Sequence, residues 1–273
     1  ATPPPDPATA VPVFAGLRGG VGRLPGALAA ASGATVRTGA TVRELARRPD
    51  GGWDLVVGST HDPEVLRADA VVLATPARGT ARLLRDVAPP AALALERIEY
   101  ASMAIVTLAF PARALPAVVG SGFLVPPVDG RSVKASTFSF AKWDWVREAG
   151  VAAGEQMLVL RCSLGRHREE QTLQVSDEGL VELALTDLAD AIGLSVRPVD
   201  QHVQRWGGAL PQYAVGHLDR VATVRRKLDH VPTLAVCGSA YDGIGIPACI
   251  ASADRAAAKV VGDLSPTPPT QHL

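Results

Sequence analysis

Hydrophobic positions follow three different spacings along the chain. Residues 70–74 and 234–236 are continuously apolar, which is typical of strands buried on both faces of a sheet. Residues 52–57 alternate, as in a strand with one buried face. Between Ser176 and Gly193 apolar residues recur every three or four positions, which predicts an amphipathic helix with Ser176 as its N-cap. We therefore predict a protein of mixed α and β structure.

The order of the remaining segments suggests an α/β part interrupted by a sheet. From Glu99 onward, apolar runs separated by Gly, Pro and Asp predict an antiparallel sheet. The other predicted elements are a helix over residues 19–31, strands over 34–37, 41–46 and 199–206, and a polar loop at 58–63.

The segment Thr233–Val261 carries the most informative chemistry. Its apolar strand enters a turn with Gly238, Gly243 and Gly245, and an Ala-rich segment of helical composition follows. Glycines let the main chain approach a ligand, and a helix N-terminus offers N–H groups to a pyrophosphate or a flavin ring edge. A Cβ at Gly243 or Gly245 is expected to obstruct that approach and to strain a positive φ. The spacing alone fits a turn without a ligand equally well.

The letters of this segment, GSAYDGIGIPACIASA, resemble the last flavin-contacting segment of the protoporphyrinogen and coproporphyrinogen oxidases, within the flavin amine oxidase superfamily. Four further stretches agree in the family's order: LRGGVGRLPGALA with GATVRTGATVREL, ADAVVLATPARGTARLL, KASTFSFAKW and RWGGALPQYAVGH. Together they span Leu17 to Val261. The resemblance implies an α/β (α+β) fold, in which an incomplete FAD-binding Rossmann-like domain carries an inserted antiparallel-sheet domain that binds the substrate.

The same resemblance shows which part of the family pattern is missing. Members begin with a strand, a GxGxxG turn and an acidic residue that together hold the ADP moiety of FAD. The chain opens instead on ATPPPDPATAVP, so we expect it to be the C-terminal portion of a longer enzyme, with the N-terminal half as a partner. The predicted parts are a Pro-rich linker (1–15), an FAD-binding fragment (16–88), a substrate-binding sheet domain (89–215), a C-terminal FAD-binding segment (216–264) and a disordered tail (265–273).

Flavin contacts are implied by the resemblance at positions in both FAD-binding parts and on one strand of the sheet. The positions are Val42 beside the adenine, Thr75, Trp206, Gly238, Ser239, Gly243, Ile244, Gly245 and Ile246. For Asp242 and His217 we favour helix capping and turn bonding over a catalytic role, and the catalytic residues stay unassigned.

Lys134 and Tyr213 are the expected substrate contacts. A coproporphyrinogen carries four propionates and a protoporphyrinogen two, so the number of cations in the pocket should separate the two substrates. Further cations of the sheet-rich part, each of which could instead be a solvated strand end, are Arg131, Lys142, Arg161 and Arg166.

Composition limits the kinds of partner that we expect for this chain. The 27 basic and 27 acidic residues give a formal net charge of zero, which argues against a nucleic-acid partner. No run of about 18 apolar residues occurs, so we expect a cytoplasmic protein and leave peripheral membrane contact and homodimer formation open. The three cysteines lack CxxC spacing, and we expect no metal.

The function that these observations favour is an FAD-dependent porphyrinogen oxidase of heme biosynthesis that uses O2 as acceptor. Coproporphyrinogen III is the preferred substrate, and protoporphyrinogen IX stays open. Two alternatives remain. The first is another enzyme of the superfamily, an amine oxidase or a desaturase, and the second is a binding module that is inert without its N-terminal half.

Overall fold

The computed structural model describes residues 15–152 and 154–265. The predicted linker and tail lie outside the described residues, apart from Ala15 and Ser265. The α-helices are α1 (Leu24–Ser32), α2 (Ala77–Leu84), α3 (Pro89–Glu96), α4 (Ser139–Lys142), α5 (Asp144–Ala149), α6 (Asp177–Ile192), α7 (His217–Leu228), α8 (Ser239–Asp242) and α9 (Ile246–Leu264). The strands are β1 (Val42–Arg47), β2 (Trp53–Gly58), β3 (Pro63–Ala68), β4 (Val71–Leu73), β5 (Tyr100–Pro111), β6 (Gly122–Leu124), β7 (Val133–Phe138), β8 (Val151–Ala152), β9 (Glu155–Leu164), β10 (Asp200–Pro211) and β11 (Leu234–Val236).

The chain divides into two units, and each contains two separate stretches of sequence. Of the described residues, 15–36 and 103–206 form the large-sheet unit, and 37–102 and 207–265 form the parallel-strand unit. The boundaries between the units fall within β5 and β10. Residues 16–36 therefore belong with the sheet, whereas the predicted FAD-binding fragment begins at residue 16. Since this division does not show which residues hold a cofactor, the functional domain boundaries stay predictions.

The large-sheet unit is built on strands in the order β10-β5-β9-β7-β6, with β8 paired to β9. The pairs β5–β9, β9–β7 and β7–β6 are antiparallel, as the sequence predicts. Alternate residues of these strands pack with α6 in one core, whose buried members include Leu108, Phe110, Leu160, Cys162, Leu180 and Leu188. Because strand residues alternate between faces, the intervening residues of β5, β7 and β9 share the opposite face.

The parallel-strand unit combines the antiparallel sheet β1-β2-β3 with the parallel pair β4–β11. Trp53 of β2 is fully buried and donates from Nε1 to Thr233 Oγ1 at 2.9 Å, which ties the antiparallel sheet to the residue before β11. The core that surrounds Trp53 includes Leu73, Ala77, Leu84, Leu95, Val224 and Tyr241. Both the glycine turn and the predicted strand 70–74 belong to this unit.

Several predicted elements are confirmed. The N-cap and end of α6 agree with the prediction, because Ser176 Oγ accepts the Gly179 N–H at 3.2 Å and Gly193 adopts a left-handed φ of 72°. Five predicted strands correspond to β1, β2, β4, β10 and β11. The predicted helix over residues 19–31 is present as a 3₁₀ turn at Val21–Arg23 followed by α1, with no buried residue.

Three local predictions were wrong. Residues 34–37 form no strand, because a β-branched run needs a partner strand and none of the described strands pairs with it. β3 was missed because Pro63, Glu64 and Arg67 favour strands weakly, and its pairing with β2 outweighs that preference. Val72 of β4 is 40% exposed, so this strand is not buried on both faces.

Candidate functional site

The loop after β11 has the sharp turns that its glycines predict. Gly238 has φ 116° and ψ −173°, and Gly243 has φ 131° and ψ 153°, a region that is essentially restricted to glycine. Gly245 is different, with φ −66° and ψ 142°, so the backbone strain expected there does not arise. A Cβ at Gly243 would lie 3.3 Å from Ala248 Cβ, whereas one at Gly245 would come no closer than 3.8 Å to Pro247 Cδ. The loop thus needs glycine at Gly243, and at Gly245 the chain itself does not.

Isoleucines make the surface of this loop apolar. Ile244, Ile246 and Ile250 are 55%, 45% and 49% exposed, and the last two are four residues apart on one side of α9. No side chain caps the N-terminus of α9, which begins directly after Gly245. The loop therefore presents apolar side chains and an uncapped helix end on the same surface, a combination that suits an apolar ring with a polar edge.

Gly238 and Ser239 each have a hydrogen-bond partner from outside the loop. The Gly238 N–H donates to Ser252 Oγ at 3.2 Å, and Tyr213 Oη donates to the Ser239 carbonyl. Tyr213 also lies against the His217 ring, with centroids 4.6 Å apart. Burial lowers the pKa of His217, and Arg220 lowers it further. Tyr213, predicted from sequence as a substrate contact, thus contacts the glycine loop within the parallel-strand unit, and its role toward a substrate stays a prediction.

Thr75 lies at the same edge of the parallel pair as the glycine loop. Cys237 N–H donates to the Leu73 carbonyl at 3.1 Å, so β4 and β11 end side by side. The Thr75 hydroxyl lies 2.8 Å from Thr80 Oγ1, which in turn donates to the Thr75 carbonyl. This edge is the carboxyl end of both strands, where open α/β sheets bind their ligands.

Val42 and Trp206, two further predicted flavin contacts, are not part of the glycine loop. Val42 is on β1, and its carbonyl accepts a hydrogen bond from Arg82 Nη2 at 2.9 Å, so one of its two main-chain groups is occupied. Trp206 lies on β10 in the large-sheet unit with 51% of its surface exposed. Flavin contact by either residue stays a prediction.

Asp242 holds three helices together. Its Oδ2 lies 2.6 Å from Arg225 Nη2 on α7 and 2.6 Å from Arg255 Nη2 on α9, while the residue itself ends α8. Burial acts to raise the pKa of the carboxyl group, but hydrogen bonds from Arg225, Ser252 and Arg255 outweigh it and hold that pKa below its ordinary value. The structural role that the sequence favours for Asp242 agrees with this geometry.

Among the five cations that the sequence offered in the sheet-rich part, four have partners of their own. Lys134 donates from Nζ to the Gly165 carbonyl at 2.7 Å, and Arg131 pairs with Asp187 and Asp190. Arg166 donates to the carbonyls of Val125, Arg131 and Val133, and Lys142 lies over the Trp143 ring. Burial lowers the pKa of Lys134, and Arg166 lowers it further. The role of Lys134 toward a substrate stays a prediction.

Arg161 differs from these four cations. It lies on β9 between Thr107 of β5 and Thr137 of β7, on the face opposite the α6 core. Within the part of the chain that the structure describes, its guanidinium has no hydrogen bond or ion pair to a side chain. In the sequence, apolar Leu160 and Cys162 on either side of Arg161 indicate that Arg161 lies on the other face of the strand. That pattern was not used to separate Arg161 from the other four cations.

The arrangement of an apolar glycine loop at the carboxyl end of parallel strands, with a separate antiparallel sheet, is typical of flavin-dependent oxidoreductases. The profile of the flavin-containing amine oxidoreductases matches residues 8–261, and the chain belongs to this family.

Curated relatives are similar over much of this chain. The coproporphyrinogen III oxidase of Mycobacterium tuberculosis (strain ATCC 25618 / H37Rv) is 44% identical over 196 residues, which cover 71% of this chain and 41% of the relative. That of Mycobacterium leprae is 41% identical over 250 residues, covering 92% and 52%. The chain thus spans about half the length of these relatives or less.

Solved structures of oxidases are also similar to this chain. A putative protoporphyrinogen oxidase from Exiguobacterium sp. 255-15 is similar with a TM-score of 0.66 and 33% identity, covering 79% of this chain and 45% of that one. A putrescine oxidase, at 16% identity and a TM-score of 0.68, shares the fold and covers 90% of this chain and 53% of its own. The predicted family and the mixed α and β fold are confirmed, and flavin is the cofactor of the family.

The residues of the loop fit a flavin. Its backbone departs from ordinary dihedral angles at Gly238 and Gly243, its isoleucines are exposed, and the N-terminus of α9 lacks a side-chain cap. Among the helices of the described residues, none combines the length and apolar composition needed to cross a membrane.

Proposed function

We propose that this chain is the flavin-loop and substrate-sheet part of an FAD-dependent coproporphyrinogen III oxidase. The observation that carries the proposal is the loop after β11, where glycine-only backbone angles, exposed isoleucines and an uncapped helix coincide at the carboxyl ends of two parallel strands. The names of the mycobacterial relatives support the porphyrinogen as substrate. O2 is the expected acceptor.

In this proposal the residues of the loop orient the flavin. Ile244 and Ile246 would pack against the ring system, and the end of α9 would face its polar edge. Flavin, when bound, accepts the hydrogens that are removed from the macrocycle. Tyr213 would keep the loop in place through its hydrogen bond to the Ser239 carbonyl, which makes it a positioning residue.

The large sheet would bind the propionates through Arg161. Its guanidinium forms no hydrogen bond or ion pair among the described residues, and its partners in the neighbouring strands are Thr107 and Thr137, so it has donors for a carboxylate. Loss of a charge-assisted hydrogen bond to a carboxylate costs about 1.5–3 kcal/mol, or roughly ten- to a hundredfold in affinity. A substrate with four propionates offers more such contacts than one with two.

The test measures porphyrin formation by the natural polypeptide that contains this chain. Purified protein should absorb near ~450 nm, as bound flavins do, and it should convert coproporphyrinogen III to fluorescent coproporphyrin III while O2 is consumed. Arg161→Gln is expected to raise KM for coproporphyrinogen III about tenfold or more, with a smaller rise for protoporphyrinogen IX. A flavoprotein that oxidises an amine and neither porphyrinogen would overturn the proposal.

Arg197→Gln is the matched control for this substitution. Arg197 is an exposed arginine of the same unit that pairs with Glu182, so its removal should leave both KM values unchanged. An equal rise of KM in both variants, or no rise in Arg161→Gln, would show that Arg161 does not bind propionate.

A further inference from the structure

A cleft of about 650 Å³ lies in the parallel-strand unit, away from the glycine loop. It is formed by β1, the C-terminal end of α2 with the residues that follow, and the segment His230–Pro232 before β11. Four arginines line it, namely Arg43, Arg47, Arg82 and Arg85. Two carboxylates, those of Glu44 and Asp86, lie among them. The lining therefore carries an excess of positive charge.

Main-chain oxygen atoms hold three of these guanidinium groups in place. Arg43 Nε donates to the Gly58 carbonyl at 2.6 Å, Arg47 Nη1 to the Pro232 carbonyl at 2.8 Å, and Arg82 Nη2 to the Val42 carbonyl at 2.9 Å. In residues 15–152 and 154–265, none of the three belongs to a salt bridge. A neutral carbonyl occupies one donor and leaves the positive charge uncompensated, and each guanidinium has five N–H donors. Donors and charge therefore remain for a ligand.

Two contacts preorganise the cleft. The Arg47 guanidinium lies 4.7 Å from the centroid of the buried Trp53 ring and also donates to Thr233 Oγ1 at 3.0 Å. Arg43 lies at a β-bulge of β1, four residues before Arg47, so their Cα atoms are no more than about 13 Å apart at ~3.3 Å per residue. Fixed arginines at two ends of a cleft suit a ligand with more than one negative group.

The cleft and the glycine loop lie at opposite ends of β11. Pro232, which lines the cleft, precedes Leu234, whereas Gly238 follows Val236. Since β4 runs parallel to β11, the glycine loop lies at the carboxyl ends and the cleft at the amino ends of the same two strands. A ligand bound in the cleft would therefore not occupy the site at the glycine loop.

We propose that this arginine cleft binds a small multivalent oxyanion that carries phosphate or carboxylate groups. The guanidinium plane matches both groups, since two parallel N–H donors reach two oxygen atoms of one group. The proposal does not depend on the oxidase activity, because none of the four arginines belongs to the glycine loop or the large sheet, and the predicted adenine contact Val42 meets the cleft through its carbonyl, which Arg82 occupies.

Titration calorimetry of the natural polypeptide that contains this chain, with inorganic pyrophosphate and, separately, with citrate, tests the proposal. One saturable site is expected, and the stronger of the two ligands assigns phosphate or carboxylate chemistry. Arg82→Gln and Arg85→Gln are each expected to weaken binding about tenfold or more. Arg85 is exposed and its ion pair with Glu96, at 3.7 Å, is a surface contact, so the Arg85 variant is expected to keep the fold even if Arg82→Gln loses it.

Arg197→Gln is again the control, and thermal unfolding of each variant verifies its fold. Absence of saturable binding, or equal weakening in the Arg197 variant, would overturn the proposal. An additional titration with ADP tests whether an adenine site accounts for the binding. If Arg85→Gln abolishes ADP binding but leaves pyrophosphate binding unchanged, the proposal is overturned. None of these readouts depends on bound flavin, so failure here leaves the oxidase proposal standing.

Discussion

Gly243 and Gly245 are alike in sequence but differ in backbone conformation, and this difference yields a prediction at the scale of single residues. Gly243→Ala should lower the free energy of unfolding by about 1–3 kcal/mol, because alanine is strained at φ 131° and its Cβ would crowd Ala248. Gly245→Ala, at φ −66° with open space, should change it by less than ~0.5 kcal/mol. Urea unfolding of both variants checks the difference. Equal losses would mean that the loop relaxes around either Cβ.

The sequence shows that the loop is rich in glycine, but it does not show which glycine adopts a positive φ. Positive φ was expected at both Gly243 and Gly245, and backbone geometry assigns it to the first alone. Similarly, the sequence favoured Lys134 among five cations of the sheet, while hydrogen bonds that depend on tertiary packing engage Lys134 and Arg166 and leave Arg161 exposed. Such choices depend on contacts between residues far apart in the chain.

At the scale of the element, the N-cap of α6 is the most directly testable feature. Ser176→Ala should lower the free energy of unfolding by about 1 kcal/mol, because the Gly179 N–H loses its acceptor. Ser176→Gly should cost only about a few tenths of a kcal/mol. Chemical denaturation of the two variants gives the comparison, and an alanine variant as stable as the parent would show that water replaces the cap.

Asp242 connects α7, α8 and α9, so its substitution tests how these helices depend on one another. Asp242→Asn should lower the free energy of unfolding by about 1–3 kcal/mol, because two arginines lose their charged acceptor. The folded pKa of Asp242 is lowered, so its contribution is present above the unfolded value of about 3.9 and is lost as the pH falls through the folded pKa.

Unfolding measured between pH 6 and pH 2 checks the sign of this effect. The parent should lose more stability than Asp242→Asn below about pH 4, so that the two curves converge. Arg18→Ala is a suitable control, since the Arg18–Glu148 pair is exposed on both sides. Parallel curves would mean that Asp242 is not the group that titrates.

Elements with strong local signals were predictable, and elements that depend on a partner strand were not. α6 combines a cap, helical spacing and a C-terminal glycine, and all three agree with the structure. The run 34–37 has β-branched residues but no described strand to pair with, while β3 has weak strand formers and a full register against β2. Pairing energy rather than propensity thus decided both outcomes.

At the scale of the whole molecule, the parallel strands of the described residues form one pair. In the described residues it contains β4 and β11, and Val72 of β4 is 40% exposed. Parallel sheets are generally covered on both faces and contain more strands. The order of an α/β part, an antiparallel sheet and a second α/β part was predictable from the resemblance, whereas the assignment of residues 16–36 to the large-sheet unit depends on tertiary contacts.

This small sheet leads to a prediction about the cofactor. The glycine loop supplies surfaces for the ring system, but the pyrophosphate of FAD is held in this family pattern by a strand, a GxGxxG turn and a helix. The 273-residue chain by itself should therefore retain FAD weakly or not at all after gel filtration. Co-expression with a polypeptide that supplies the strand and GxGxxG turn should give stoichiometric FAD and a higher melting temperature, because a ligand that binds the native state stabilises it. The same polypeptide with its GxGxxG glycines changed to alanine is the control and should pair without restoring FAD, whereas tight FAD retention by the 273-residue chain alone would show that the glycine loop suffices.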